Sequence, residues 1–196
     1  MFVLKAIGFV ISRTLCYVCY IGRENIPSGP DGFIVAADHQ TYVDPVWVTI
    51  PIFRKLRYMT FETAFTWPVV GKLIRYLGAF PVSLDGSRAK MLLRTSLTSL
   101  KEGAALMIFP EGAREFADGK PLEYRSGAMH IAIAAGCKVL PVTIEGGNRI
   151  WPRGQKYPKL FQLVTVTYHP PFTPISDDAE KETQRLFDII NSGRSH

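Results

Sequence analysis

Short β-branched apolar runs alternate along this chain with longer segments whose apolar residues recur every third or fourth position. Those are the two periods of a strand and of an amphipathic helix. The turn-rich NIPSGPDG (25–32) gives way to FIVAAD (33–38), which reads as a buried strand. PVWVTIPIF follows as a helix, opened by Pro45 and broken near Pro51. LRYMTF (56–61) predicts a second strand, WPVVGKLIRYLG a helix ending at Gly78, and AFPVSL (79–84) a third strand. SRAKMLLRTSLTSLKEG is the clearest amphipathic helix, with Gly103 just past its end. AALMIFP (104–110) predicts a fourth strand and leads into a polar loop from Glu111 to about Tyr124. RSGAMHIAIAAG predicts a small-residue helix that can pack closely on a sheet. KVLPVTIEG and LVTVTYH predict the fifth and sixth strands, and SDDAEKETQRLFDIINSG a helix with acidic residues at its start. This alternation predicts a single α/β domain with a mixed, largely parallel central sheet flanked by helices.

The opening segment stands apart. MFVLKAIGFVISRTLCYVCYI (1–21) is almost wholly apolar, interrupted by Lys5 and Arg13. On a helix Lys5, Ser12 and Arg13 share an arc of roughly 100°, a single cationic stripe on a greasy cylinder. That form suits a helix lying in a membrane interface. A core helix and a spanning anchor remain open, and no small-residue cleavage site precedes GRENIP. The predicted organisation is a membrane-associating helix over 1–21 and one globular domain over 22–196.

Composition narrows the partners. The 196 residues are 47% hydrophobic and 20% charged, which excludes a disordered chain. A net charge of +6 favours anionic partners: a membrane surface, nucleic acid or phosphorylated small molecules. Cys16, Cys19 and Cys137 are too few and odd in number for a disulfide framework, which fits a reducing compartment. Cys16 and Cys19 form a C-x-x-C, but no second pair or nearby histidine completes a metal site, so the two read as packing residues.

Chemistry in α/β sheets collects where strands end and helices begin. His39, Glu111 and Glu145 each follow a predicted strand, and Gly112 and Gly146-Gly147 adjoin the last two. In AADHQTYVDP (36–45), Thr41-x-x-Asp44 has the spacing of a capping box, which by itself gives Asp44 a purely structural role. A second reading pairs Asp44 with His39. On one continuous helix five positions separate side chains by about 140°, so that pairing requires His39 in the loop and Asp44 in the first turn. Held so, the imidazole has the orientation and tautomer of a general base for an alcohol. FPEGAREF (109–116) adds a strand end, a Glu111-Gly112 turn and the Arg114 guanidinium, suited to phosphate or carboxylate. His130 and His169 read as structural.

These blocks together resemble the glycerophospholipid acyltransferase family, which includes the 1-acylglycerol-3-phosphate acyltransferases. The family's His-x-x-x-x-Asp is matched by His39 to Asp44, its Phe-Pro-Glu-Gly-Thr-Arg by FPEGAR, and its Val-x-Pro-Val by VLPV (139–142). The likeness runs from about residue 22 to 170, in the family's order. It implies an acyltransferase domain over 22–196, moving a fatty acyl group from a thioester to the hydroxyl of a lysolipid in phospholipid biosynthesis. It implies His39 as base, Asp44 as its orienting acid, and Glu111, Gly112 and Arg114 in the acceptor site. No metal or other cofactor is implied; acyl-CoA or acyl carrier protein serves as cosubstrate.

The chain also departs from the family. Where the family has an Asp-Arg pair that helps hold acceptor phosphate, GAFPVSL places Ser83 and Leu84, leaving Arg88 or Arg125 as replacements. Ala113 stands for the usual threonine, and Glu115 adds a negative charge. The expected acceptor is 1-acylglycerol-3-phosphate; another lysolipid, a lysophospholipid or one derived from an amino acid, is the alternative. A non-catalytic lipid-binding protein of the same fold is the rival from another class. NRIWPRGQKYPKLF (148–161) interleaves Arg149, Arg153, Lys156 and Lys159 with Trp151, Tyr157 and Phe161. Beside the apolar N-terminus that mixture favours an anionic membrane surface over nucleic acid, with an ordinary loop as the remaining reading; the expected location is the cytoplasmic face of a membrane.

Overall fold

The computed structural model describes residues 17–66, 68, 70–76, 78–82, 89–114, 122–159 and 161–194. A seven-stranded sheet runs β1 (Tyr17–Ile21), β7 (Leu163–Tyr168), β6 (Lys138–Glu145), β2 (Phe33–Ala37), β5 (Ala105–Ile108), β3 (Leu56–Phe61) and β4 (Ala79–Val82). Every neighbouring pair is parallel except β6 and β7. The helices are α1 (Asp44–Thr49), α2 (Val70–Tyr76), α3 (Ala89–Lys101), α4 (Gly127–Ala135), the single turn α5 (Gly147–Ile150), and α6 (Ala179–Ser192). The mixed, largely parallel α/β sheet expected from the alternation is therefore the observed one.

β2 lies at the centre with all five residues buried. Strand alternation divides it between two cores. Phe33, Val35 and Ala37 face Trp47, Val48 and Ile52 of the α1 region, while Ile34 and Ala36 face Leu100 of α3, Met129 and Ile131 of α4, and Leu186 and Ile190 of α6. Burial on both faces accounts for the unbroken apolar run that marked this strand in the sequence.

The opening segment differs from its prediction. Residues 1–16 lie outside the described residues, but Tyr17–Ile21 forms an edge strand, parallel to β7, in place of the end of a helix. YVCYI is composed of β-formers, and pairing with Leu163–Thr167 gives its backbone groups partners. Cys19 is consequently exposed, not packed, whereas Cys137 is partly buried and its thiol is pushed up to about 11 by burial. Among the described residues no helix is long and apolar enough to cross a membrane.

The site is positioned by three adjacent strand ends. β6, β2 and β5 are parallel neighbours, with Ala37 beside Val142 and Ala36 beside Ile108. The loops after β2 and β5 thus leave the sheet side by side. At six residues α1 is too short to be stable alone. Trp47 and Val48 are buried, and the Tyr20 and Tyr168 hydroxyls donate to the Trp47 and Val48 carbonyls at 3.1 and 2.7 Å. These bonds satisfy carbonyls that the end of a short helix leaves open.

Candidate active site

His39 sits in the loop after β2, and Asp44 opens α1. The His39 Nδ1 lies 2.9 Å from Asp44 Oδ2. The same oxygen accepts the Gln40 and Thr41 amides, each at 2.6 Å, and Oδ1 accepts the Thr41 hydroxyl at 2.6 Å. Asp44 is fully buried, so four donors converge on a carboxylate with no access to water. An ionised carboxylate only accepts, which assigns the proton to Nδ1 and leaves Nε2 with its lone pair. The side chain of His39 keeps 18% of its surface exposed. Its ring stacks on Phe109, with centroids 4.0 Å apart and planes 20° from parallel.

Both sequence readings of Asp44 hold in part. Its carboxylate reaches back to the Thr41 amide as a capping box requires, but the Thr41 hydroxyl accepts from the Val43 amide at 3.1 Å, so the helix starts at Asp44 itself. Two turn residues before that start give the imidazole room to fold back onto the carboxylate.

The second loop closes against the first. The Gly112 amide donates to the Phe109 carbonyl at 3.0 Å, a tight turn with Gly112 at φ +67°, in the left-handed region. A Cβ there would also come within 3.1 Å of Arg125 Nε, so the turn and Arg125 pack closely. The Arg125 amide donates to the Pro110 carbonyl at 2.9 Å, and its side chain lies in an exposed residue. Glu111 is buried, with Oε1 3.4 Å from the His39 amide, which donates to it. Arg114 lies with its guanidinium 3.7 Å from the centroid of the Tyr42 ring, and its buried Nη1 has no hydrogen-bond partner among the described residues. His39, Asp44, Glu111, Gly112, Arg114 and Arg125 thus form one neighbourhood; Arg88 and positions 83–88 lie outside the described residues.

The structure adds three residues that sequence reading left without a role, Phe109, Asp38 and Arg194, and a wider one for Thr41, which it read only as a helix cap. Phe109 is the platform under the imidazole, Thr41 ties both oxygens of Asp44, and Asp38 is fully buried with Oδ1 accepting the Ile144 amide at 2.7 Å. Arg194, just beyond α6, reaches Asp38 Oδ2 at 2.8 Å and stands 3.9 Å from Glu111 Oε1. An acid at the end of a fully apolar strand was a readable signal for Asp38. Nothing local marked Arg194, 156 positions from its partner.

The aromatic and basic loop forms one rim of this neighbourhood. Trp151 meets Tyr42 edge-on at 5.6 Å, and Arg153 Nη1 donates to the Arg114 carbonyl at 3.2 Å. Tyr157 and Phe161 are exposed, as are Arg149, Arg153, Lys156 and Lys159. Glu145 closes β6, and α5 after it meets the site through the Asn148 amide, which donates to Gln40 Oε1 at 3.2 Å. His169 is half-buried, Nε2 2.8 Å from the Thr143 hydroxyl, and desolvation lowers its pKa below the ordinary imidazole value; His130 is an exposed residue of α4. Among the described residues no three His, Cys, Asp or Glu side chains gather to hold a metal.

Comparison with known proteins agrees with this geometry. The chloroplast 1-acyl-sn-glycerol-3-phosphate acyltransferase LPAT1 of Arabidopsis thaliana is 27% identical over 151 residues, 76% of this chain and 42% of that protein. The 1-acyl-sn-glycerol-3-phosphate acyltransferase of Pseudomonas aeruginosa is 30% identical over 149 residues, 73% of this chain and 55% of that protein. The chain therefore spans less than two thirds of the length of either relative. The crystal structure of the 1-acyl-sn-glycerophosphate (LPA) acyltransferase PlsC from Thermotoga maritima superposes with a TM-score of 0.80 at 27% identity, covering 96% of this chain and 76% of that one. A family profile described as Acyltransferase matches residues 17–145, from β1 through the last residue of β6 and across both loops of the site. The chain belongs to the Acyltransferase family.

Proposed function

We propose that the protein transfers a fatty acyl group from a thioester to the hydroxyl of 1-acylglycerol-3-phosphate, a step of phospholipid synthesis. The observation that carries this reading is the 2.9 Å contact between His39 Nδ1 and the buried Asp44 carboxylate. It leaves Nε2 as the base. As Nε2 takes the acceptor's hydroxyl proton, the oxygen attacks the thioester carbonyl and the C–O bond forms. The tetrahedral intermediate collapses with cleavage of C–S, and the departing thiolate takes the proton from Nε2. Asp44 stabilises the transient imidazolium, as the third member of a serine hydrolase triad does for its histidine. The acceptor alcohol is the nucleophile, so the protein needs none, and acyl-CoA or acyl carrier protein supplies the thioester as cosubstrate.

The relatives' names favour a phosphate-bearing acceptor, and two guanidinium groups near the base suit one. Arg114 brings a buried donor, Nη1, without a hydrogen-bond partner among the described residues, and Arg125 lies against the Gly112 turn. We assign the acceptor phosphate to these two, with Arg88 as a further candidate and Gly112 leaving the approach open. Glu111, facing the His39 main chain, acts by holding the loop. The rim loop, with Trp151, Tyr157 and Phe161 among four basic side chains, suits the anionic cytoplasmic face of a membrane and would bring the lipid acceptor to the base without leaving the bilayer.

The test is a panel of acceptors with acyl-CoA and acyl carrier protein donors. Lysophosphatidate should be used in preference to neutral and zwitterionic lysolipids, and His39→Ala should lower turnover at least about 10²-fold. Preference for a lysolipid without a free phosphate monoester would move the acceptor assignment. Turnover that survives His39→Ala would remove the base.

A further inference from the structure

We propose that Arg194 is a positioning residue for His39, acting through Asp38 and Glu111. This rests on the acyl-transfer reading for its kinetic consequences but not for its structural ones. The sequence of contacts is short. Arg194 Nη2 lies 2.8 Å from Asp38 Oδ2 and 3.9 Å from Glu111 Oε1. Glu111 Oε1 in turn accepts the His39 amide at 3.4 Å, and Asp38, the residue before His39, anchors its other oxygen on the Ile144 amide at 2.7 Å. The main chain at His39 is therefore held from both sides by carboxylates that share one guanidinium.

Charge makes the arrangement necessary. The Asp38 and Glu111 side chains are fully buried and that of Arg194 is 14% exposed. Two carboxylates packed this closely repel one another, and burial strengthens the repulsion by removing water. One cation between them offsets that repulsion and lets both face inward. Against the imidazole itself stand Asp44 from α1 and Phe109 from the turn after β5, with Glu111 on the His39 amide; Arg194 meets Asp38 and Glu111, and His169 lies against the neighbouring Gly193.

The turn that presents Arg194 is itself built for close approach. A Cβ on Gly193 would come within 2.7 Å of both the Thr143 hydroxyl and His169 Cε1. The Thr143 hydroxyl donates to the Ile190 carbonyl at 2.6 Å, pinning the last turn of α6 on β6. Glycine lets the chain pass flush over that strand, and the Arg194 amide then donates to Asn191 at 3.0 Å. The guanidinium is thus aimed back under the loop of His39 from an element that otherwise only covers the sheet.

The test compares Arg194→Gln and Arg194→Lys with the wild type in the full chain. Arg194→Gln keeps a polar N–H but no charge; kcat should fall about 10- to 10²-fold, the size expected when a reacting group is misplaced. KM for the lysolipid should stay within about 2-fold, because Arg194 acts through the base and not on the acceptor. Arg194→Lys should recover most of the loss. The readout independent of turnover is the proton NMR signal of His39 Nδ1–H, identified by its absence in His39→Gln. It should exchange faster with water in Arg194→Gln and return toward the wild-type rate in Arg194→Lys. An inactive wild-type protein would thus sink the acyl-transfer reading while leaving this one decidable.

Wild-type turnover and an unchanged Nδ1–H signal in folded Arg194→Gln would overturn the proposal. So would a loss confined to KM, which would make Arg194 an acceptor ligand. Should Arg194→Gln lose its cooperative melt, Asp38→Asn/Arg194→Gln removes a carboxylate together with the cation, relieves the repulsion and should regain the melt and the Nδ1–H signal; a melt that stays lost in that variant overturns the proposal.

Discussion

Replacing Asp44 by asparagine separates the field of the carboxylate from its geometry. Three donors, from His39, Gln40 and Thr41, point at Oδ2, and only the Thr41 hydroxyl points at Oδ1. An amide oxygen in the Oδ2 position keeps the three donors, and its NH2 faces a hydroxyl that can turn and accept. Tautomer and fold are therefore retained, and what disappears is the negative charge beside the imidazolium that forms during transfer. The difference between a charge-assisted and a neutral hydrogen bond sets a lower bound of about 1.5 kcal/mol. Coulomb attraction between unit charges near contact at an effective dielectric of 20 sets an upper bound of about 4 kcal/mol. Asp44→Asn should then lower kcat about 10- to 10³-fold with little change in KM. Steady-state kinetics with saturating thioester measure it, and a thermal melt within a few degrees of the wild type shows the fold intact. Alanine is the wrong probe, since it strands four donors in a buried site at about 1–3 kcal/mol each and risks unfolding a marginally stable domain. A folded Asp44→Asn enzyme with kcat within about 2-fold of wild type would refute the role of the carboxylate.

Other outcomes follow from the neighbouring contacts. Phe109→Ala removes the ring stacked on His39, a contact of about 0.5–1.5 kcal/mol, and should lower kcat by about 3- to 10-fold with KM held, measured in the same assay. Gly112→Ala puts a Cβ at φ +67° against Arg125 and should cost roughly 1–2 kcal/mol in urea unfolding. Burial lowers the pKa of His169, so the folded state binds fewer protons than the unfolded chain below about pH 6.5, and stability should fall as pH drops through that value. His169→Gln should flatten this slope in denaturant melts at pH 7.5 and 5. Lys156→Gln/Lys159→Gln should weaken partition onto phosphatidylserine vesicles about 30-fold, at about 1 kcal/mol per basic residue, and leave neutral vesicles unaffected.

The parts of this protein that were legible in its sequence are those specified by neighbours along the chain. FIVAA declared a strand buried on both faces because every position was apolar, and SRAKMLLRTSLTSLKEG declared α3 by its period. His39 and Asp44 could be paired on paper because a loop and a helix start five residues apart bring side chains together by local geometry alone. What failed was set by distance. YVCYI was absorbed into an apolar run that equally suits a helix, since its strand character depends on a partner at Leu163–Thr167. α5 is a single turn, below the length at which any period registers. Arg194 is the sharpest case. Its surroundings, NSGRSH, are polar and featureless, and its role comes from α6 crossing the sheet to end beneath a loop more than 150 positions earlier. The motif residues carry the groups that react; the groups that hold them still are recruited from wherever the fold happens to return. A site built this way exposes its chemistry to sequence reading and hides its mechanics, and for that reason the variants at Asp44 and Arg194 probe different things. The first tests an assignment that a pattern already suggested, and the second tests one that only the three-dimensional arrangement could suggest.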